Sequence, residues 1–240
     1  MKNVSKYGYS NIGGRKVNED AFGSYVYGKN IVTVIADGLG GQGDGQRASL
    51  LAVESLSKCG AEGDLPNAEE LSLAFAKANQ EIIKHQSNRF HMKTTAVYLC
   101  IHENRVIWGH IGDSRLYHFF NGKLCDYTLD HSLSQVAVAL GEIERKDIPN
   151  HAQRSRLLRA LGCEGEEAKV CGPVFLEAGK HAFLLCTDGF WEYFSDEEIA
   201  EILKETGSAY MWILKLREKM KDRCKSNCDN HTAAAVLLEV

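Results

Sequence analysis

Apolar positions along the chain fall into short runs, and those runs are grouped. Residues 22–27 (Phe-Gly-Ser-Tyr-Val-Tyr) and 30–36 (Asn-Ile-Val-Thr-Val-Ile-Ala) predict two strands joined by a Gly28-Lys29 turn. From Ile31 to Ala36 only Thr33 is polar, which suits a buried central strand. A glycine-rich loop follows, Asp37-Gly-Leu-Gly-Gly-Gln-Gly-Asp-Gly. The period then changes. Helices are predicted over 46–59 and 68–87, with turn composition between them. In the second, Leu71, Phe75, Ala78, Ile82 and Ile83 recur at helical spacing and form one apolar face.

A strand-rich block comes next. Residues 94–101, 106–111, 115–120 and 123–128 predict four consecutive strands, with turns at Asn104, Gly112-Asp113-Ser114 and Asn121-Gly122. Residues 131–162 are more polar, helical in pattern and interrupted by Pro149, which marks them as an insertion. Strands return at 169–177 and 181–187, helices at 195–206 and 208–222, and a last strand at 232–240. Strands that cluster instead of alternating with helices predict an α+β fold with antiparallel sheets covered by helices. They argue against a doubly wound parallel sheet.

Composition narrows the field. A chain of 240 residues fits one substantial domain, or at most two small ones. The net charge of −4 disfavours broad attraction to nucleic acid or anionic lipid. No apolar run approaches the roughly 20 residues of a membrane span, and the N-terminus lacks the apolar core of a signal peptide. The eight cysteines contain no Cys-x-x-Cys pair. They read mainly as small core residues of a reducing cytoplasm, with a Cys224–Cys228 redox pair as the alternative. Ten of the 22 glycines lie at or before Gly45, so the N-terminal region needs close backbone approach.

The chemistry lies in where the acids sit. Asp37, Asp113 and Asp188 follow apolar strands, Asp229 precedes the last strand, and Glu19-Asp20 precede the first predicted one. A single Asp-Gly is usually only a turn. Five acidic positions at strand boundaries suggest a site on a rigid scaffold. Carboxylates without histidine or cysteine partners suit a hard divalent cation, Mg²⁺ or Mn²⁺. Two such ions activate water and clamp a phosphoryl group.

Several stretches carry a further signal: Arg15-Lys-Val-Asn-Glu-Asp-Ala, Val34-Ile-Ala-Asp-Gly-Leu-Gly-Gly, Gly112-Asp-Ser-Arg, Asp130-His-Ser, Leu157-Leu-Arg-Ala-Leu-Gly, Cys186-Thr-Asp-Gly-Phe-Trp and Asp229-Asn-His-Thr. In this order they resemble the metal-dependent protein phosphatases of type 2C, above all the compact bacterial Ser/Thr phosphatases. The resemblance runs from Tyr7 to the last residue. It implies a four-layer α-β-β-α sandwich of two mainly antiparallel sheets. Residues 1–240 would form one catalytic domain with a flap at about 131–162, and nothing left over for an anchor or sensor.

The same resemblance implies roles. Asp37 would bridge two Mn²⁺ or Mg²⁺ ions, with the Gly38 carbonyl on one of them. Asp188 and Asp229 would complete the set. Asp20 would bind directly or through water, and Glu19 through water. Asp113 would hold a third ion, shared with Asp188. Arg15 would bind the substrate phosphate, and Asn230 would support its neighbours. A metal-activated water would attack phosphorus in line, with no covalent intermediate. Cys186 belongs to the core, because no Cys-x5-Arg phosphate loop follows any cysteine.

The implied substrates are phosphoserine and phosphothreonine proteins, with a cognate Ser/Thr kinase as partner. Neither nucleic acid nor membrane is implied, and the chain is expected to be a cytoplasmic monomer. Leu39 stands where animal members carry a histidine, Gln46 where bacterial ones have glutamate, and Lys93 where glycine precedes Thr94-Thr95. His131 is a weak substitute for the missing proton donor. Arg154, Arg156 and Arg159 of the flap read as a solvated helix face before a phosphate-attracting one. A non-catalytic module on the same fold and a phosphatase of small metabolites remain the alternatives.

Overall fold

The computed structural model describes residues 2–39, 44–87 and 91–240. Among these residues, ten strands make two five-stranded sheets in which every pairing is antiparallel. The first has the order β2 (Asp20–Tyr27), β3 (Asn30–Asp37), β4 (Ala96–His102), β5 (Arg105–Ile111), β8 (Lys169–Phe175). The second runs β1 (Lys2–Asn11), β10 (His231–Glu239), β9 (Lys180–Cys186), β6 (Arg115–Phe120), β7 (Lys123–Tyr127).

Strand periodicity explains the layers. Ile31, Ile35, Val97, Leu99 and Ile101 of one sheet meet Leu116, Phe183, Leu185, Ala234 and Val236 of the other in a single core. The alternate residues Val32, Val34, Ala96, Tyr98 and Cys100 point the opposite way. They bury against α1 (Gly45–Leu56) and α2 (Ala68–Lys84). Likewise Ala182, Leu184, Cys186, Ala233 and Ala235 pack under α5 (Asp196–Lys204) and α6 (Ala209–Arg223). A strand buried on both faces must be apolar throughout, so β3, β4, β9 and β10 read as continuous runs. The result is the α-β-β-α sandwich. Phe183 sits at its centre and is fully buried. Phe183→Ala is expected to cost about 3–5 kcal/mol in urea unfolding.

Helix signals are local. Asn67 and Glu70 form a reciprocal capping box that starts α2. Ser195 and Ser208 cap α5 and α6 by accepting from the Glu198 and Met211 amides. Leu71, Phe75, Ala78 and Ile82 face the core, whereas Ile83 is only half-buried.

The sequence pattern misses one element and misjudges another. β1, where no strand is predicted, is an edge strand paired only with β10. Tyr9 is its sole buried hydrophobic residue, so its pattern is too weak to read. Residues 131–162 contain only a short helix α3 (Leu133–Ala139) and a 3-10 turn, Arg145–Asn150. Beyond that turn the chain is irregular and pinned by bridges from Leu157 to Ser132 and from Leu161 to Thr94. Arg154, Arg156 and Arg159 therefore do not form a helix face. No helix among the described residues is long and apolar enough to cross a membrane.

Candidate metal centre

The acidic positions meet at one end of the sandwich. Asp20 starts β2 directly opposite Asp37, the last residue of β3. Asp113 follows β5, Asp188 opens the four-residue helix α4 (Asp188–Trp191) just after β9, and Asp229 precedes β10. A cleft of about 730 Å³ is lined by Asp37, Asp113, Asp188, Asp229, Glu19 and the Gly38 backbone. Arg15, Leu39 and Asn230 also line it, as does Arg156 from the pinned stretch. Asp20 lies behind that wall, almost fully buried.

Each acid is positioned by its neighbours. The Asp37 amide donates to Thr95 Oγ1 at 3.1 Å, and Thr94 Oγ1 donates to the Asp37 carbonyl at 2.8 Å. Thr187 and Thr232 hydroxyls donate to Asp20 Oδ2 at 3.0 and 2.7 Å. The Trp191 indole donates to the Asp113 carbonyl at 3.0 Å. Trp191 is itself stacked under Arg115, whose two bonds of 2.7 and 2.6 Å grip Asp130. The Gly112-Asp-Ser-Arg and Asp130-His-Ser motifs thus meet in one buried brace. None of these threonines was assigned a role from sequence. The available signal was their adjacency to the acids: Thr94-Thr95 on the neighbouring strand, Thr187-Asp188 and Asp229-Asn-His-Thr232.

Asn230 ties loops together. Its side-chain amide donates to the carbonyls of Ile12 and Val17 at 2.8 and 3.0 Å, and its oxygen accepts from the Glu19 amide at 2.8 Å. Gly38 is needed for close approach, not for a left-handed turn. A Cβ there would meet the Gly45 carbonyl oxygen at less than contact distance, and the Glu19 carbonyl oxygen at 2.7 Å. Gly40 and Gly41, invoked with it from the sequence, lie outside the described residues.

Electrostatically the cluster is under stress. Burial, reinforced by the neighbouring acids, pushes the Asp37, Asp113 and Asp188 carboxyls above their usual range. Asp20 is raised to about 7, mainly by burial and partly by Asp188 and Asp229, despite its two hydroxyl donors. Asp20 Oδ1 is buried and has no hydrogen-bond partner. Such an orphaned oxygen is costly unless a cation or proton satisfies it. The donors are all hard oxygens, which fits Mg²⁺ or Mn²⁺. They line the cleft instead of closing on one point. The group of three donors that closes to within 4.8 Å among the described residues lies elsewhere, at Cys224, Cys228 and His231.

Arg15 reaches the cleft, but its Nη2 lies 2.6 Å from Asp229 Oδ2. That bond, with the charge behind it, raises the guanidinium pKa. His131 accepts from the Gly112 amide at 3.2 Å and stacks on His110 with centroids 4.6 Å apart. Burial and the facing His110 lower it to about 3, so it is neutral and offers no acidic proton at neutral pH. Cys186 is fully buried under the α5 and α6 layer and raised by that burial. The cysteines are not all free core residues, however: Cys224 and Cys228 are paired, while the other six are free.

Two antiparallel sheets between helix layers, with acids at their strand ends, form the architecture of the metal-dependent protein phosphatases. A family model described as protein phosphatase 2C matches residues 7–222, and the chain belongs to that family. It is 35% identical over 199 residues to the serine/threonine phosphatase stp of Listeria monocytogenes serotype 4b (strain F2365), spanning 79% of each chain. Its fold superposes on the crystal structure of the Mycobacterium tuberculosis serine/threonine phosphatase PstP/Ppp with a TM-score of 0.82 at 30% identity, covering 99% of both chains. A catalytic domain of PstP in complex with two manganese ions matches with a TM-score of 0.81 at 27% identity, covering 98% of this chain and 99% of that one.

Proposed function

We propose that this cleft hydrolyses phosphoserine and phosphothreonine in proteins. Membership of the family gives the reaction class, that of a metal-dependent protein serine/threonine phosphatase. The observation that carries the site assignment is the buried, partnerless Asp20 Oδ1 beside three other carboxyls that burial disfavours as anions. Asp37, Asp188, Asp229 and the Gly38 carbonyl, with Asp20 behind, would hold a divalent pair that offsets that charge. Mn²⁺ or Mg²⁺ would serve, and Asp113 with Asp188 is our candidate for a third ion. Bound there, such ions would make a nucleophilic hydroxide available at neutral pH.

The chain's own residues do the rest. Thr94 and Thr95 fix the Asp37 backbone from both sides, so its carboxylate is presented without reorganisation. Asn230 fixes the loop that precedes Glu19 and Asp20. Arg15 lines the cleft beside Asp229, and its paired N–H groups match the geometry of a substrate's phosphoryl oxygens. Leu39 is apolar and His131 is neutral, so neither protonates the leaving group.

Arg156 also lines the cleft and adds positive charge there for a phosphopeptide. Arg156→Ala is expected to raise KM for a phosphothreonine peptide about tenfold with a smaller change in kcat, as loss of ground-state binding does. An unchanged KM removes Arg156 from substrate binding. We read residues 1–240 as one catalytic domain with residues 131–162 as its flap, acting in the cytoplasm as a monomer opposite a Ser/Thr kinase. Turnover of a phosphothreonine peptide against a panel of small phosphorylated metabolites tests the substrate class. Preference for the metabolites would overturn it.

A further inference from the structure

A second chemical feature lies on the reverse side of the loop that carries Asp229. Cys224 caps the C-terminus of α6, and its amide donates to the Met220 carbonyl at 2.8 Å. Cys228 closes the turn that follows, its amide donating to the Lys225 carbonyl at 3.0 Å. The two Cα atoms are 5.4 Å apart and the sulfurs are bonded. The pair opens on a cleft of about 250 Å³, lined also by Arg217, Lys221, Lys225 and His231. Cys224 is half-buried and lines this cleft, so a small thiol reagent reaches it there, whereas Cys228 is buried behind it.

The pair is wired to the active cleft by short contacts. The Cys228 carbonyl accepts from the Gly14 amide at 2.9 Å, one residue before Arg15. Cys228 is followed by Asp229, which holds Arg15, and then by Asn230, which holds Ile12, Val17 and Glu19. Gly13 and Gly14 have no room for a Cβ against the Asp229 and Ser226 carbonyls. The 225–230 and 12–19 loops therefore move together or not at all.

We propose that Cys224 and Cys228 form a reversible dithiol–disulfide couple that sets how firmly the Asp229 loop is held. The oxidant is a low-molecular-weight disulfide. One cysteine thiolate attacks it and forms a mixed disulfide, expelling the first small thiolate. The second cysteine thiolate then displaces the other, closing the Cys224–Cys228 bond. Two electrons pass to the reagent, which leaves as two thiols carrying the two protons. The closed bond restrains the chain one residue from Asp229 and lowers the cost of ordering that ligand. The effect on metal rests on the metal centre proposed above, whereas the thiol chemistry does not.

The test uses the full chain equilibrated in glutathione buffers of increasing disulfide content, then alkylated and mapped by mass. Cys224 and Cys228 are expected to become protected together and to be released by dithiothreitol, while Cys125, an exposed free thiol, stays open to alkylation. Mn²⁺ titration by calorimetry is expected to show about tenfold tighter binding by the oxidised protein than by the reduced protein or by C224S/C228S. Three results would overturn the proposal. The pair stays alkylatable at every ratio; or one equivalent of Zn²⁺ binds Cys224, Cys228 and His231 and blocks oxidation; or both redox forms bind Mn²⁺ equally. Absence of Mn²⁺ binding by every form would sink the metal centre and the coupling together, while alkylation would still decide the couple.

Discussion

Asp37→Ala is expected to lower kcat/KM for a phosphothreonine peptide about a thousandfold or more, equivalent to about 4 kcal/mol of barrier. The folded chain is expected to survive the change. Asp37 contributes no stabilising ion pair in the metal-free protein. Instead it sits against Asp20, Asp113 and Asp188, and burial alone disfavours its charge. Removing it takes away repulsion, so the metal-free variant is expected to be at least as stable as wild type, with a gain on the order of 1 kcal/mol. Activity and stability moving in opposite directions is the signature of a charge cluster kept for function. A variant that loses activity only because it unfolds would fail this reading, and thermal melts in EDTA distinguish the two.

The second large effect concerns pH. Asp20 titrates near 7 when folded, against about 4 in an unfolded chain. Between those values the folded state holds a proton that the unfolded state has released. Stability is therefore fully present below about pH 4 and falls as pH rises to about 7, after which it stays reduced. For Asp20 alone the loss is on the order of 4 kcal/mol, and Asp37, Asp113 and Asp188 shift in the same direction. Metal-free protein is thus expected to melt lower at pH 8 than at pH 5.5. Mn²⁺ should erase most of the difference, because a cation replaces the proton. Urea midpoints at the two pH values, with EDTA and with Mn²⁺, check this. A metal-free midpoint that rises with pH would contradict it.

Much of the molecule was legible because burial on both faces leaves long apolar runs. β3, β4, β9 and β10 are such strands, and the capped helices α5 and α6 start within one residue of expectation. β1 was not legible. An edge strand needs little apolar surface, and only the β10 register defines it. Sequence placed acids at strand ends but held no information on how one sheet stacks on the other. Only the fold brings Asp20 and Asp37 of the first sheet beside Asp188 and Asp229 of the second.

The hydroxyls around Asp20 and Asp37 escaped notice for a related reason. A threonine in a strand reads as a β-former, and its role as a donor appears only with its partner. Arg154 and Arg156 show the opposite error. Their spacing looked helical, yet the bridges at Leu157 and Leu161 hold the segment open. Arg154 instead donates to Glu192 at 2.7 Å, and Arg156 faces the cleft.

The most direct measurement is phosphate release from a phosphothreonine peptide by metal-stripped protein titrated with Mn²⁺. Turnover is expected to be absent in EDTA and to rise to a plateau with added Mn²⁺, with Asp188→Ala flat throughout. Turnover that persists in EDTA, or that Asp188→Ala retains at the same Mn²⁺ concentration, would contradict a carboxylate-held metal centre.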